Sequence, residues 1–244
     1  MTISRNARLA LAALMGVGLS FIYIPLSVVV INSFNASKTF SWPPTHFTTM
    51  WWSKALENTG VREAIKWSVL AGLSATAIAL VLGTVLAFAV SRYQFFGREV
   101  ISLLVVLPIS LPGIVTGIAL NNAFTKQLGM STGLLTVIIG HATFCIVVVY
   151  NNAIARLRRM GTSLQEASMD LGANGITTFR LVTLPNLASA LFAGGLLAFG
   201  LSFDEIVVTT FTAGPGIQTL PIWIFNNLFR PNQAPIVNVV AATL

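Results

Sequence analysis

The stretch 162-TSLQEASMDLGANGITTFRLVTLP-185 is polar and glycine-punctuated, and it is set between two long apolar runs. Ser163 and Glu166 stand in the S-x-x-E relation of a capping box, which predicts a helix start. Gly172 is placed to end that helix, because glycine takes positive φ without steric cost. Leu164, Ala167 and Leu171 fall on one side of it, at helical spacing. Asn174 or Gly175 turns the chain, and a second short helix over about 176–184 is expected to end before Pro185. The product is a helix–turn–helix hairpin with a small apolar stripe. Such a hairpin either docks into a groove on a soluble partner or lies on a membrane surface with no partner.

The flanks say what the hairpin interrupts. The chain is 55% hydrophobic and 9% charged, with a mean hydropathy of +0.81. A soluble domain carries about 25% charged residues, so the composition points to an all-α polytopic membrane protein. A helix needs about 20 residues, at 1.5 Å each, to cross roughly 30 Å of hydrocarbon. Spans are therefore expected over about 132–155 and 186–212 on either side of the hairpin. Others are expected at 9–31, 67–90 and 100–120, and the beginning of a sixth at 235–244. The run at 9–31 exceeds the apolar core of about 7–15 residues of a cleaved signal peptide, so it is read as a retained span kinked at Pro25. The single domain 1–244 then holds about six spans, the last one incomplete, and the polar segment 156–185.

The connections carry their own signals. Trp42, Trp51 and Trp52 lie in a polar stretch over 32–62 and suit a headgroup region. Residues 121–131 read as a short polar turn, and 217–229, interrupted by Pro221, as an interfacial or re-entrant element. Ala71, Ala75, Ala79, Gly83 and Ala87 recur every four residues, forming one ridge for close helix approach.

Charge sets the orientation. The net charge is +7, but the basic residues sit at span ends, as the positive-inside rule expects, and not in a nucleic-acid-binding patch. With the N-terminus inside, the tight clusters Arg92 and Arg98, and Arg156, Arg158 and Arg159, all fall on the cytoplasmic side. The segment 156–185 is then cytoplasmic.

Several residues inside or beside spans invite a functional reading. Pro108 and Pro112 bend or locally unwind the third span; such breaks line transport pathways or serve packing alone. Asp204 and Glu205, near the far end of the fifth span, either meet a cationic substrate or form a salt bridge or exposed interface acids. His141, within the fourth span, is a functional candidate or a neutral ring bonded to a neighbouring helix. Cys145 is the sole cysteine, so no disulfide within the chain and no thiolate cluster can form. No Gly-Lys dipeptide exists to build a P-loop, no Ser/His/Asp set stands out, and no metal site is expected.

Glu166-Ala167-Ser168, then Gly172, then Val182-Thr183-Leu184-Pro185 resembles the EAA signature, EAA-x3-G-x9-I-x-LP, of ABC importer permeases. Ser168 stands for the second alanine and Val182 for isoleucine. The stretches LPISLPGIVTGIAL at 107–120, LSFDEIVVTTFTAGPG at 201–216 and TLPIWIF at 219–225 are similar to the second permease subunit of spermidine/putrescine-type importers. Permeases for iron, opines, phosphonates and other solutes share parts of this pattern. The resemblance implies a type I importer permease fold, with a non-catalytic chain that holds no cofactor. Its implied partners are a second permease, two ATPase subunits that bind ATP and Mg, and a periplasmic binding protein. It assigns Ser163, Glu166, Ala167, Ser168, Asp170, Leu171, Gly172 and Pro185 to ATPase coupling. Glu166 would make a charged contact, Ala167 would pack closely and Gly172 would set the turn. An ion-coupled secondary transporter is the rival class; it would need intramembrane ionisable groups, for which only His141, Asp204 and Glu205 qualify.

Overall fold

The computed structural model describes residues 4–38 and 42–244. The remaining parts of the N-terminus and of the 32–62 connection lie outside the described residues. The chain divides into two compact units, one of residues 1–62 with 223–244 and one of residues 63–222.

In the first unit, α1 (Arg5–Ser33) is capped by Ser4, whose hydroxyl accepts from the Ala7 amide at 3.3 Å. Pro25 sits inside α1 without ending it. The side chains of α1 are exposed almost throughout, with only Asn32 and Ser33 buried. The polar connection that follows contains a further helix, α2 (Met50–Glu57). Its tryptophans differ in burial. Trp51 is buried and donates from Nε1 to the Asn35 carbonyl at 3.0 Å, whereas Trp42 is exposed. Trp52 stacks on Phe34 at 5.2 Å.

The second unit is built on three long helices. α3 (Thr59–Arg92) starts earlier than the apolar run predicts, at the residue after Asn58, whose side chain accepts from the Val61 amide at 3.1 Å. Its alanine ridge is buried: Ala71, Ala75, Ala79 and Ala87 are all 1% exposed or less. A Cβ on Gly83 would lie 3.0 Å from Val149 and 3.1 Å from the Ile146 carbonyl. Without a hydrophobic drive in lipid, this close approach is what holds such helices together. α4 (Arg98–Ser110) stops before Leu111, which is extended (φ −85°, ψ 143°) as the residue before a proline prefers to be. α5 (Gly113–Asn122) then leaves at a 105° bend and continues through a π-turn to Gln127, so 100–120 is not one straight span and 121–127 is helix, not turn. α6 (Leu134–Arg159) is the most buried of the helices long enough to cross a membrane and carries the three arginines in its last turn.

After α7 (Ser163–Asp170), helix runs unbroken from α8 (Gly175–Thr178) through a π-turn, Phe179–Thr183, into α9 (Leu184–Phe203). The second hairpin helix therefore does not end before Pro185. Pro185 falls at the junction, where the Leu184 amide bonds back five residues to Phe179, and the π-turn absorbs the proline's missing donor. The expected span at 186–212 is also corrected. α9 ends at Phe203, and α10 (Val207–Thr212) is a separate short helix. The remaining helices are α11 (Leu220–Asn227), with Pro221 tolerated in its first turn, and α12 (Ala234–Thr243) in the first unit, which buries Ile236, Val237, Val239 and Val240. By length and composition, α1, α3, α6 and Gly175–Phe203 can each cross a membrane, and the bent α4–α5 pair makes a fifth crossing if counted as one.

Candidate functional site

Two places carry the residues singled out by sequence. The first is the segment from Thr162 to Pro185. Its capping box does not form. Thr162 is the N-cap, in a helical conformation (φ −87°, ψ −18°) that leaves its side chain without a cap bond, and Ser163 is already the first helical residue. Gly172 does end the helix, at φ +87°. Asn174 starts the next one by accepting from the Thr177 amide at 2.8 Å.

The polarity of α7 is inverted with respect to an ordinary amphipathic helix. Leu164 is 58% exposed and Leu171 90%, and Glu166, Ala167 and Asp170 are exposed with them. The buried residue is Gln165, whose Nε2 donates to Thr183 Oγ1 at 2.9 Å. One turn on, Ser168 Oγ meets Thr178 Oγ1 at 3.1 Å. Two polar fasteners thus hold α7 onto the helix that becomes α9, while its apolar side stays bare. Arg156 Nε adds a bond to the Asn186 carbonyl at 3.1 Å, joining the end of α6 to the start of α9.

The second place is where the broken helices meet. Pro108 lies inside α4, one turn before the break, and Pro112 is the N-cap of α5. A Cβ on Gly113 would lie 3.3 Å from Val207, and one on Gly117 would overlap the Phe211 ring. Asn121 Nδ2 donates to the Phe211 carbonyl at 2.6 Å. The GxxxG pair of α5 is therefore the seat for α10, and the bend after Pro112 adjoins the break that holds Asp204 and Glu205. The two acids have different roles. Glu205 Oε1 accepts from the Val208 amide at 2.8 Å and caps α10. Asp204 closes α9 and is exposed, with no side-chain partner among the described residues. His141, 0% exposed, joins both sides of this break. Its Nδ1 lies 2.7 Å from Ser202 Oγ and its Nε2 2.8 Å from Thr209 Oγ1.

Gln165, Thr178, Thr183, Ser202 and Thr209 were not found by sequence reasoning. Each pairs with a residue 10 to 68 positions away, and a hydroxyl in an apolar run carries no local sign of its partner. Among the described residues no group of three His, Cys, Asp or Glu could hold a metal.

Four helices, or five with the bent α4–α5 pair, are long and apolar enough to mark an all-α membrane protein. The chain belongs to the family described as binding-protein-dependent transport system inner membrane component, which matches residues 79–244. It is 33% identical over 234 residues to the putrescine transport system permease protein PotI of Escherichia coli K12, covering 93% of this chain and 82% of that one. It is 32% identical over 226 residues to the spermidine/putrescine transport system permease protein PotC of the same organism, covering 92% and 84%. In fold it is similar to a bacterial ABC transporter involved in the import of the acidic polysaccharide alginate. That likeness has a TM-score of 0.73 and 17% identity, covering 99% of this chain and 92% of that one.

Proposed function

We propose that the chain is the non-catalytic permease subunit of an ATP-driven polyamine importer, coupled to its ATPase through α7. The observation that carries this reading is the inverted polarity of α7. Leu164 and Leu171 stand bare beside the acids Glu166 and Asp170, and the polar Gln165 is turned inward. An exposed apolar stripe with an acidic flank is suited to a groove on a soluble subunit. Ser163, Ala167, Ser168 and Gly172 shape it, and Pro185 marks where it passes into the span. ATP and Mg belong to that partner ATPase, present in two copies, and this chain needs no cofactor of its own.

The exposed apolar faces of α1 and α4 supply area for lipid and for a second permease subunit, and a periplasmic binding protein delivers the substrate. The N-terminus and residues 156–185 lie on the cytoplasmic side, as Arg156, Arg158 and Arg159 at the end of α6 favour. The relatives' substrates and the unpartnered carboxylate of Asp204 together support a polyamine, whose ammonium groups an acid at a broken span can receive; Pro108 and Pro112 shape the same passage. The test is co-purification of the cognate ATPase with the chain carrying Leu164→Ser, Glu166→Ala and Leu171→Ser. The expected result is loss of the ATPase from a permease that still inserts. Undiminished recovery of the complex with full uptake would reject the docking role.

A further inference from the structure

His141 lies in α6, and its bonds across the break have a definite direction. Thr209 Oγ1 donates its one hydrogen to the Glu205 carbonyl at 2.8 Å. Its contact with the imidazole must therefore be received, so Nε2 of His141 carries a hydrogen and donates. In the neutral ring Nδ1 is then the acceptor, and Ser202 Oγ donates to it at 2.7 Å. The result is a one-way chain from Ser202 through His141 and Thr209 to the carbonyl of Glu205. Every member is satisfied, as a polar group inside a span requires.

We propose that His141 is a positioning residue that clamps the break in the fifth span and so presents Asp204. Ser202 lies in the last turn of α9 and Thr209 lies in α10, so one side chain fixes both sides of the corner. Glu205 is held twice, by its carbonyl through Thr209 and by its carboxylate on the Val208 amide. With its neighbour pinned, Asp204 stands at a fixed, exposed position. The groups facing His141 are the Ser202 hydroxyl and backbone, the Thr209 hydroxyl, and the ring of Phe144, 5.5 Å away between centroids. A side chain with a donor and an acceptor at opposite ends bridges two hydroxyls on two helices; an aliphatic one of the same bulk cannot.

The functional consequence rests on the reading of Asp204 as a receiver of cationic substrate, but the clamp itself can be tested without it. The chain has two histidines, and His46 is on the surface. In a His46→Asn background, with this chain alone 15N-histidine-labelled and assembled with unlabelled partner subunits, NMR reports His141 alone. The expected spectrum is a neutral ring with hydrogen on Nε2 and a hydrogen-bonded, unprotonated Nδ1. Ser202→Ala should shift Nδ1 and Thr209→Val should shift Nε2. A ring protonated on Nδ1, or one indifferent to both substitutions, overturns the proposal.

In reconstituted vesicles supplied with spermidine and the binding protein, His141→Ala should raise the KM for uptake about tenfold, the scale of one lost buried hydrogen-bond pair. The maximal rate should change less, and His141→Gln, which keeps one donor and one acceptor, should recover part of the loss. Unaltered KM in His141→Ala and Thr209→Val also overturns it. A raised KM in His141→Ala alongside unaltered uptake in Asp204→Asn upholds the clamp and rejects the Asp204 reading.

Discussion

The α7 segment and the Asp204 corner lie at opposite ends of the helix that runs from Gly175 to Phe203, and they are built on opposite plans. At the corner the polar groups that the break brings together are spent internally: the buried His141, Ser202 and Thr209 and the half-buried Glu205 carboxylate all have partners, and glycines let α5 and α10 meet. At α7 the polar groups are used to fasten the helix from beneath, and the apolar ones are left over. A segment that keeps its own apolar side chains bare leaves area for a partner to cover. A corner that satisfies itself is a rigid fixture. The difference teaches that damage at one place should uncouple the protein from a partner, and damage at the other should alter what passes through it.

The sharpest way to break this division is at Gly172. Its φ of +87° is closed to proline, which is fixed near −65°. Gly172→Pro should destroy the turn between α7 and α8 and cost roughly 3 kcal/mol locally. The expected outcome is loss of ATPase co-purification and of uptake, with the melting of the long helices, followed by circular dichroism in detergent, little changed. A parallel loss of helix stability would mean that the segment is part of the core after all.

Gly117 tests the other side. A valine there would force its Cβ into the Phe211 ring, and overpacking of this kind costs about 1–3 kcal/mol. Gly117→Val should reduce uptake severely while the ATPase still co-purifies. If the ATPase is lost as well, the two places are not independent.

Much of this was legible from sequence and some was not, for physical reasons. The long helices could be read because apolar length is a local property, and Ala71 to Ala87 could be read because a small-residue ridge has a fixed period. The break at Asp204 could not. Residues 186–212 are apolar on both sides of it, and what ends α9 is the chain turning to cap α10 with Glu205, a choice made by tertiary contacts with α5 and α6. The same holds at Pro185, which reads as a stop but is absorbed by a π-turn. The S-x-x-E pattern at Ser163 misled by one residue: Thr162 took the cap position without using its hydroxyl. Gly172 was legible because only a positive φ explains a glycine there.

The acids offer a finer comparison within the corner. Asp204→Asn removes an exposed charge and no internal bond, so stability should stay within about 0.5 kcal/mol of wild type. Uptake of a dicationic or tricationic amine should weaken several-fold. Glu205→Gln keeps an oxygen for the Val208 amide but loses the charge, which should cost about 0.5–1 kcal/mol of stability with a smaller change in KM. Paired thermal melts and uptake kinetics separate the two. Equal effects of both substitutions on KM would mean that the carboxylates act as one site.

The smallest expected effect is at Ser168, where the family pattern has alanine. Its hydroxyl meets Thr178 Oγ1 at 3.1 Å on a half-buried side of α7. Ser168→Ala removes one fastener while Gln165 and Thr183 keep the other. Alanine is the better helix former by a few tenths of a kcal/mol, which offsets part of a bond worth about 1 kcal/mol. The net change in uptake should be less than about twofold. Gln165→Leu should do more, since it leaves Thr183, 1% exposed, without that partner. If the fasteners hold α7 to the span jointly, combining Ser168→Ala with Gln165→Leu should raise the ATP hydrolysed per amine imported beyond the product of the single effects. Purely multiplicative effects would mean that α7 follows α9 through its backbone connection alone.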